Sequence, residues 1–444
     1  MKNLFKCLAV LLVVCLSLSC CSVYNVKISD KLKAPEPSGE LYEVKKAITD
    51  HLGEINYSYP RFGNFRSAVI SADVNSRDKN EFFVLYSTKT DDSRYIQHIR
   101  LIYFDSGKWN LSQDVQIEAS EIHSVNLASF ERSNALELVI SLSTYNTKEK
   151  SVYVFSVNNY RLFEIMSKEA TTYAVTDFDQ DNLAELLTIN LDSSLKTSVA
   201  TLTTVENGQP VDGASCNLDG SVTEYSTPKI TRLTDKTPAV FIDATTPSGT
   251  ITEVVILEHK RLVSLFGKKE TFENTGTLRA SDIQSLDFDG DGCLDIPRQE
   301  ALPQHSSITN ADSIYLTAWQ SIGPVELKDL AITAYNYTDG YFIEIPDKWL
   351  GNISIVRNTA QNERVFHEWL EEQQTIGTKI CSIRVFSIQE WEKVGISSNS
   401  EYIEITRTSQ KVFAFSKGES SLSPTLDELK QHFNIIATRN GGLQ

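Results

Sequence analysis

Alternating apolar and polar residues, the pattern of half-buried β-strands, run through most of the chain between residues 54 and 325. Segments 98–111, 150–165 and 251–266 each contain two such runs separated by a short polar turn, which is the signature of a β-hairpin. Related segments return about every 54 residues, so each repeat holds roughly four short strands. The pattern predicts a mainly β chain built from repeated small sheets.

A repeat of about four strands predicts one blade of a β-propeller, because radial repetition leaves few open sheet edges. The stretch 54–325 has room for five blades, and a sixth would form if the segment at 312–319 closes the ring. We therefore expect a β-propeller of about five to six four-stranded blades.

The repeat ends near residue 330, and residues 330–444 are predicted to form a small α+β domain. Segment 338–357 has two strand-like runs around a Pro-Asp turn. Capping boxes that begin at Ser387 and Thr425 each predict a short helix. The last helix is expected to carry its apolar face on Leu426, Leu429, Phe433 and Ile436.

The first 21 residues predict an export signal. Lys2 and Lys6 precede an apolar run at 7–18, which is too short for a membrane-spanning helix of about 20 residues. Residues 22–53 are predicted to form a polar tether that ends in a short helix at 40–52. The body of the protein is therefore expected to begin after residue 53.

The leader ends in LSLSCCS, which resembles the lipobox of bacterial lipoproteins, where a small residue precedes a cysteine that becomes diacylated. Cys21 has Leu18 and Ser19 upstream in the preferred places, although Cys20 directly before it is unusual. Cys20 is the alternative anchor, with Ser17 where leucine is preferred. The resemblance implies a chain held by its N-terminal lipid on the extracytoplasmic face of the cell membrane, most favourably through Cys21.

Composition narrows the classes of function. The formal net charge is −16, which argues against nucleic-acid binding, because that activity depends on clustered lysine and arginine. Of the seven cysteines, only Cys216, Cys293 and Cys381 lie outside the leader, too few for a disulfide framework. The fold is therefore expected to depend on core packing and on bound metal.

Two loops each contain four acidic residues, at loop positions 1, 3, 5 and 9. Acids at alternating positions converge on one point, and a backbone carbonyl at position 7 adds another oxygen, which suits Ca²⁺. Position 6 must turn sharply, as Asn182 and Gly292 permit. The predicted ligands are Asp177, Asp179, Asp181, Leu183 and Glu185 in the first loop and Asp287, Asp289, Asp291, Cys293 and Asp295 in the second.

These loops resemble the calcium loops of FG-GAP/VCBS repeats, found in bacterial surface proteins and in the integrin α-chain propeller. The resemblance spans about residues 60–320 and implies structural Ca²⁺ at both loops. An EF-hand is rejected because Thr188 and Arg298 occupy its twelfth position, where an acid is required. Weaker copies begin near residues 73, 129 and 232 and depart from the ligand pattern.

The sequence contains no HExxH, GxSxG, phosphate-binding glycine loop or CxxC pair. His367 and Glu368 are adjacent on a predicted strand and so point to opposite faces. The favoured hypothesis is a membrane-anchored binding or scaffold protein with an unidentified protein or glycan ligand. The alternatives are an extracytoplasmic carbohydrate-active enzyme, and an envelope sensor or assembly factor that acts through residues 330–444.

Overall fold

The structure, a computed structural model, describes residues 39–436 apart from eight gaps. The gaps are 75–79, 132–134, 146, 269, 280–282, 303–313, 324–326 and 396–400. The predicted signal, most of the tether and the anchor candidates Cys20 and Cys21 therefore lie outside the described residues. None of the helices within the described ranges is long and apolar enough to cross a membrane.

Six antiparallel sheets follow one another along the chain. Sheet 1 contains β1 (Asn56–Tyr57), β2 (Val69–Ala72), β3 (Glu81–Lys89), β4 (Tyr95–Asp105), β5 (Lys108–Leu111) and β6 (Val115–Glu118). Sheet 2 contains β7 (Glu121–Ala128), β8 (Glu137–Ser143), β9 (Lys150–Asn158) and β10 (Arg161–Ala170). Sheet 3 contains β11 (Thr172–Thr176), β12 (Glu185–Asp192), β13 (Thr197–Glu206) and β14 (Gln209–Leu218).

The remaining sheets have five strands each. Sheet 4 contains β15 (Glu224–Tyr225), β16 (Lys229–Arg232), β17 (Pro238–Thr246), β18 (Gly249–Glu258) and β19 (Arg261–Ser264). Sheet 5 contains β20 (Ile296–Ala301), β21 (Tyr315–Ile322), β22 (Leu327–Asn336) and β23 (Tyr341–Glu344). Sheet 6 contains β24 (Ile353–Asn358), β25 (Glu363–Leu370), β26 (Thr375–Ser387), β27 (Ile403–Arg407) and β28 (Lys411–Lys417). The last strand, β29 (Phe433–Ile435), joins sheet 5 beside β23.

The core consists of apolar layers between consecutive sheets. In β12, Leu186 packs towards sheet 2, whereas Leu187 packs towards sheet 4. In β17, Val240 faces sheet 3 and Phe241 faces sheet 5. Successive strand residues point to opposite faces, so a strand between two sheets needs apolar residues at every position. Double-sided burial therefore explains the continuous apolar runs in the sequence.

Two helices cover the outer faces of the first and last sheets. Helix α1 (Glu40–Leu52) buries Val44 and Ile48 against Val84 of sheet 1. Helix α2 (Ile388–Gly395) packs Trp391 against Val412 of sheet 6. Among the described residues no apolar cluster joins sheet 1 to sheet 6. The sheets thus form an open series rather than the closed ring that the repeats suggested, because both end faces are already occupied.

The sixth sheet lies elsewhere in the sequence than predicted. The segment 312–319 does not begin a sixth blade, because its described part belongs to β21 in the middle of sheet 5. The sixth sheet instead lies at 353–417, within the stretch predicted to be α+β. Sheet 5 itself spans the boundary predicted at 325–330, since β21 and β22 are hydrogen-bonded neighbours. The buried Trp319 indole donates to Thr333 Oγ1 at 3.2 Å across these two strands.

Other C-terminal predictions are partly confirmed. Both capping boxes are present, one opening α2 and one opening α3 (Leu426–His432). The last helix is shorter than predicted, because Phe433 leaves it to pair with Ile343. The two strands predicted around the Pro-Asp turn, β23 and β24, belong to different sheets and are separated by a 3-10 turn at Asp347–Trp349. Tertiary pairing overrides local pattern at both places.

Candidate metal centres in two acidic loops

Both acidic loops occupy the same place in their sheets. The first joins β11 to β12, at the start of sheet 3. The second precedes β20, and a bridge between Leu286 and Asp295 closes its base. The equivalent loop at 73 joins β2 to β3 and the one at 129 joins β7 to β8, but Asn75, Arg77 and Ser133 of these loops lie outside the described residues.

The first loop gathers its four predicted acids. Asp177, Asp179, Asp181 and Glu185 can each present one oxygen so that the four oxygens lie within 4.8 Å of one another. Backbone N–H groups hold the acids in place: Asp177 accepts from Asn182 at 3.0 Å, and Asp181 accepts from Leu183 at 2.7 Å. Asn182 has φ 71°, the left-handed conformation expected at position 6.

The second loop repeats this geometry. Oxygens of Asp287, Asp289 and Asp295 lie within 4.8 Å of one another. Asp291 is not part of that group, and its Oδ1 accepts from the Cys293 N–H at 2.7 Å. Gly292 has φ 89°, a conformation that favours glycine. Seven of the eight predicted carboxylates are therefore brought together, while the carbonyls of Leu183 and Cys293 remain predicted ligands.

A second role of the position-9 acid was not foreseen from the sequence. In four loops this carboxylate accepts a hydrogen bond from the backbone N–H at position 2. The pairs are Glu81 with Val74 at 3.2 Å, Glu137 with Phe130 at 2.8 Å, Glu185 with Phe178 at 2.7 Å and Asp295 with Phe288 at 2.8 Å. Two of these loops lack the full acid set, so the acid at position 9 closes the turn whether or not metal is bound. The recurrence of an acid seven residues after a buried apolar residue was the available signal.

Burial sets the electrostatics of these acids. Asp295 is 0% exposed, and its Oδ1 has no hydrogen-bond partner among the described residues. Burial raises the pKa of Asp295 to about 7, and the carboxylates of Asp289, Asp291 and Asp287 add to the shift. Burial likewise raises the pKa of Glu185 to about 7. A buried carboxylate oxygen without a partner is costly unless a cation pairs with it, so this donor set fits a bound cation.

One cavity separates the two loops. It has a volume of about 750 Å³, and its walls include Asp177 and Gln180 on one side and Asp291 and Cys293 on the other. The turn between β16 and β17 in sheet 4, which includes the buried Leu233, also lines the cavity. The two candidate metal centres therefore face a shared cleft.

A buried network of ion pairs and hydrogen bonds holds the chain segment that leads into the second loop. Asp243 of β17 accepts from Arg279 Nη2 at 2.8 Å and from Lys229 Nζ at 3.1 Å. The same carboxylate accepts from the backbone N–H of Ser285, two residues before Asp287. Asp243 and Arg279 are distant in sequence and fit no motif, so sequence reasoning missed them.

The remaining sequence candidates do not form a site. His367 Nδ1 lies 3.2 Å from the Gly377 carbonyl, whereas Glu368 accepts from the Ser420 hydroxyl. Trp349, an aromatic residue that could have lined a ligand groove, is instead fully buried against Phe366 in the core.

No family model and no curated protein matches the chain. Solved structures with some similarity include a rhamnogalacturonan lyase from Bacillus licheniformis (9% identity, 55% of this chain, 58% of that chain, TM-score 0.31). A second is a Lactobacillus plantarum protein (9% identity, 71% of this chain, 84% of that chain, TM-score 0.30). A third is the exotype rhamnogalacturonan lyase YesX (10% identity, 70% of this chain, 61% of that chain, TM-score 0.26). The chain thus spans little more than half the length of the first of these. At these TM-scores the likeness carries no activity across.

Proposed function

We propose that the protein is a calcium-stabilised, propeller-like binding module, anchored by lipid on the extracytoplasmic face of the cell membrane. The observation that carries the calcium sites is Asp295, which belongs to a cluster of carboxylates and whose buried Oδ1 has no hydrogen-bond partner in the described part of the chain. The hydrogen bond from the Phe288 N–H satisfies Oδ2 of this carboxylate, and a bound cation would pair with Oδ1.

The donor chemistry favours calcium over other cations. Every candidate ligand atom is a carboxylate or carbonyl oxygen, which suits hard cations, and the clusters contain no histidine. Asp287, Asp289, Asp291 and Asp295 with the Cys293 carbonyl would hold one ion. The equivalent set in the other loop is Asp177, Asp179, Asp181, Glu185 and the Leu183 carbonyl. Extracellular calcium modules bind at roughly 10⁻⁴–10⁻³ M, so each ion stabilises a loop without creating the fold.

Removal of calcium tests the metal sites. We expect millimolar calcium to raise the free energy of unfolding by about 1 kcal/mol per site. Asp295→Asn should reduce the calcium-dependent stabilisation from the second loop, because the neutral amide removes one negative charge from the group around the ion. The measurement is urea unfolding with calcium or EDTA.

Glu137→Gln provides the matched control, because it alters the same turn-closing hydrogen bond in a loop that keeps none of the aspartates. Its destabilisation should be equal in calcium and EDTA. Identical unfolding curves of the unsubstituted protein in calcium and in EDTA would refute the metal sites.

The anchor is a separate part of the proposal. We expect the protein, expressed in bacteria fed an alkynyl fatty acid, to carry the label at its N-terminus. Cys21→Ser should remove the label, because the acceptor thiol is lost. If Cys20→Ser loses the label and Cys21→Ser keeps it, the lipidated residue is Cys20. Absence of the label on the unsubstituted protein would refute the lipid anchor.

Binding is favoured over catalysis by the composition of the cleft. Among the described residues around it, the acids are Asp177 and Asp291, both already assigned to the proposed metal loops. A glycosidase needs a further pair of carboxylates at a defined separation.

A further inference from the structure

The cleft between the acidic loops contains two cations without acidic partners. Arg232 ends β16, and Lys236 lies in the turn that follows it. Neither side chain forms an ion pair or hydrogen bond with any residue that the structure describes. Their neighbour Lys229, by contrast, is paired with the buried Asp243. Arg232 and Lys236 are therefore available to an anionic ligand.

Each proposed ion would also leave room for oxygens of a ligand. If every carboxylate gave one oxygen, four carboxylates and one carbonyl would supply five oxygens, whereas Ca²⁺ takes six to eight. Asp179 and Asp181 are exposed, as are Asp289 and Asp291, so both centres lie at the surface. Because Asp177 and Asp291 line the cleft, a ligand inside it can complete the shells with its own oxygens.

The rest of the lining indicates what kind of ligand fits. Hydroxyl and amide groups of Thr176, Thr231, Thr234 and Gln180 are distributed along the walls. Ile230, 53% exposed, adds an apolar surface to the wall of the cleft. A peptide would need side-chain pockets for its anchors. A sugar acid presents hydroxyls on most sides, a carboxylate for the cations, and C–H faces for the isoleucine.

We propose that this cleft binds an acidic oligosaccharide, with its carboxylates on Arg232 and Lys236 and its remaining oxygens on the bound calcium. The inference rests on the proposed calcium sites and deepens them: the ions are part of the ligand site as well as of the fold.

Calorimetry on the full-length protein tests the proposal, with tetragalacturonate and tetramannuronate as probes in millimolar calcium. We expect at least one to bind, and EDTA to abolish the binding. Arg232→Ala combined with Lys236→Ala should weaken it by about tenfold or more, because charge-assisted hydrogen bonds are lost. Lys260→Ala is the matched control, since Lys260 lies in the turn between β18 and β19 of sheet 4 with φ 63°, close to the 74° of Lys236, and is not among the residues that line the cleft. It should leave the affinity unchanged.

The outcomes separate this inference from the proposed function. If calcium binds when it is measured alone in the same instrument, but neither acidic tetrasaccharide binds, the cleft proposal is overturned. The proposed metal sites are not affected by that result. Sugar binding that persists in EDTA, or that survives the double substitution, would also overturn it. Binding of tetraglutamate but of neither sugar would replace the glycan by an acidic peptide. Absence of calcium binding would refute the metal sites themselves.

Discussion

Replacing Asp243 with alanine is expected to lower the free energy of unfolding by about 3–5 kcal/mol. The guanidinium of Arg279 is 0% exposed, and Asp243 is its ion-pair partner at 2.8 Å. Removal of the carboxylate leaves a buried positive charge without compensation, which costs more than the pair itself contributes. Urea unfolding in the presence of calcium measures this loss of unfolding free energy, from the midpoint of the transition and the dependence of the free energy on urea concentration.

Two further variants separate this mechanism from a general loss of contacts. Asp212→Ala removes an ion pair with Lys168 whose side chains are 56% and 28% exposed, so we expect a change below about 1 kcal/mol. Asp243→Leu combined with Arg279→Met should recover much of the stability, because no charge remains buried. If the double variant is less stable than Asp243→Ala, the uncompensated arginine is not the cause.

The network also connects stability to the metal site. Asp243 accepts from both the N–H and the hydroxyl of Ser285, and so it fixes the start of the loop that carries Asp287. Asp243→Ala should therefore weaken calcium binding at the second loop more than at the first.

The second large effect is a pH dependence from Glu253, which is 0% exposed in β18. Burial raises its pKa from 4.5 to about 7, and the nearby Asp219 carboxylate adds to the shift. Between these two values the folded protein holds a proton that the unfolded chain has released. The free energy of unfolding should therefore fall as the pH rises through this interval, by about 3 kcal/mol in total.

Glu253→Gln should remove this dependence, since the amide does not titrate in that range. Its oxygen can still accept from the Asp219 N–H, now 2.9 Å from Glu253 Oε1. Chemical unfolding at several pH values should be done in excess calcium, because Glu185 and Asp295 have raised pKa values and would add slopes of the same sign without metal. Equal slopes for the variant and the unsubstituted protein would show that Glu253 is ionised throughout.

Much of the candidate site followed from local chemistry. One loop contains Asp177, Asp179, Asp181 and Glu185, and its backbone path alone brings the alternating acids together. The left-handed turns at Asn182 and Gly292 were predictable for the same reason. Hairpins and capping boxes also depend on neighbours in sequence, and most of them are present in the structure.

The order of the sheets in space depended on contacts that no local pattern encodes. β21 joins the middle of sheet 5, and Phe433 leaves the last helix to pair with β23, because long-range strand pairing and burial outweigh local propensity. The Asp243–Arg279 pair brings together residues 36 positions apart. The cleft likewise needs three sheets to be packed side by side before Arg232 and Lys236 face the acidic loops.

The amino-acid order by itself thus determined the β-rich repeats and the two clusters of acids, because both depend on periodicity and short loops. Only the tertiary structure decided that α1 and α2 cover the end faces of the sheets, that Asp295 is buried with an unpaired oxygen, and that both acidic loops open into one cleft. Burial and proximity between distant segments are properties of the packed chain, since each arises only when separate sheets exclude water together.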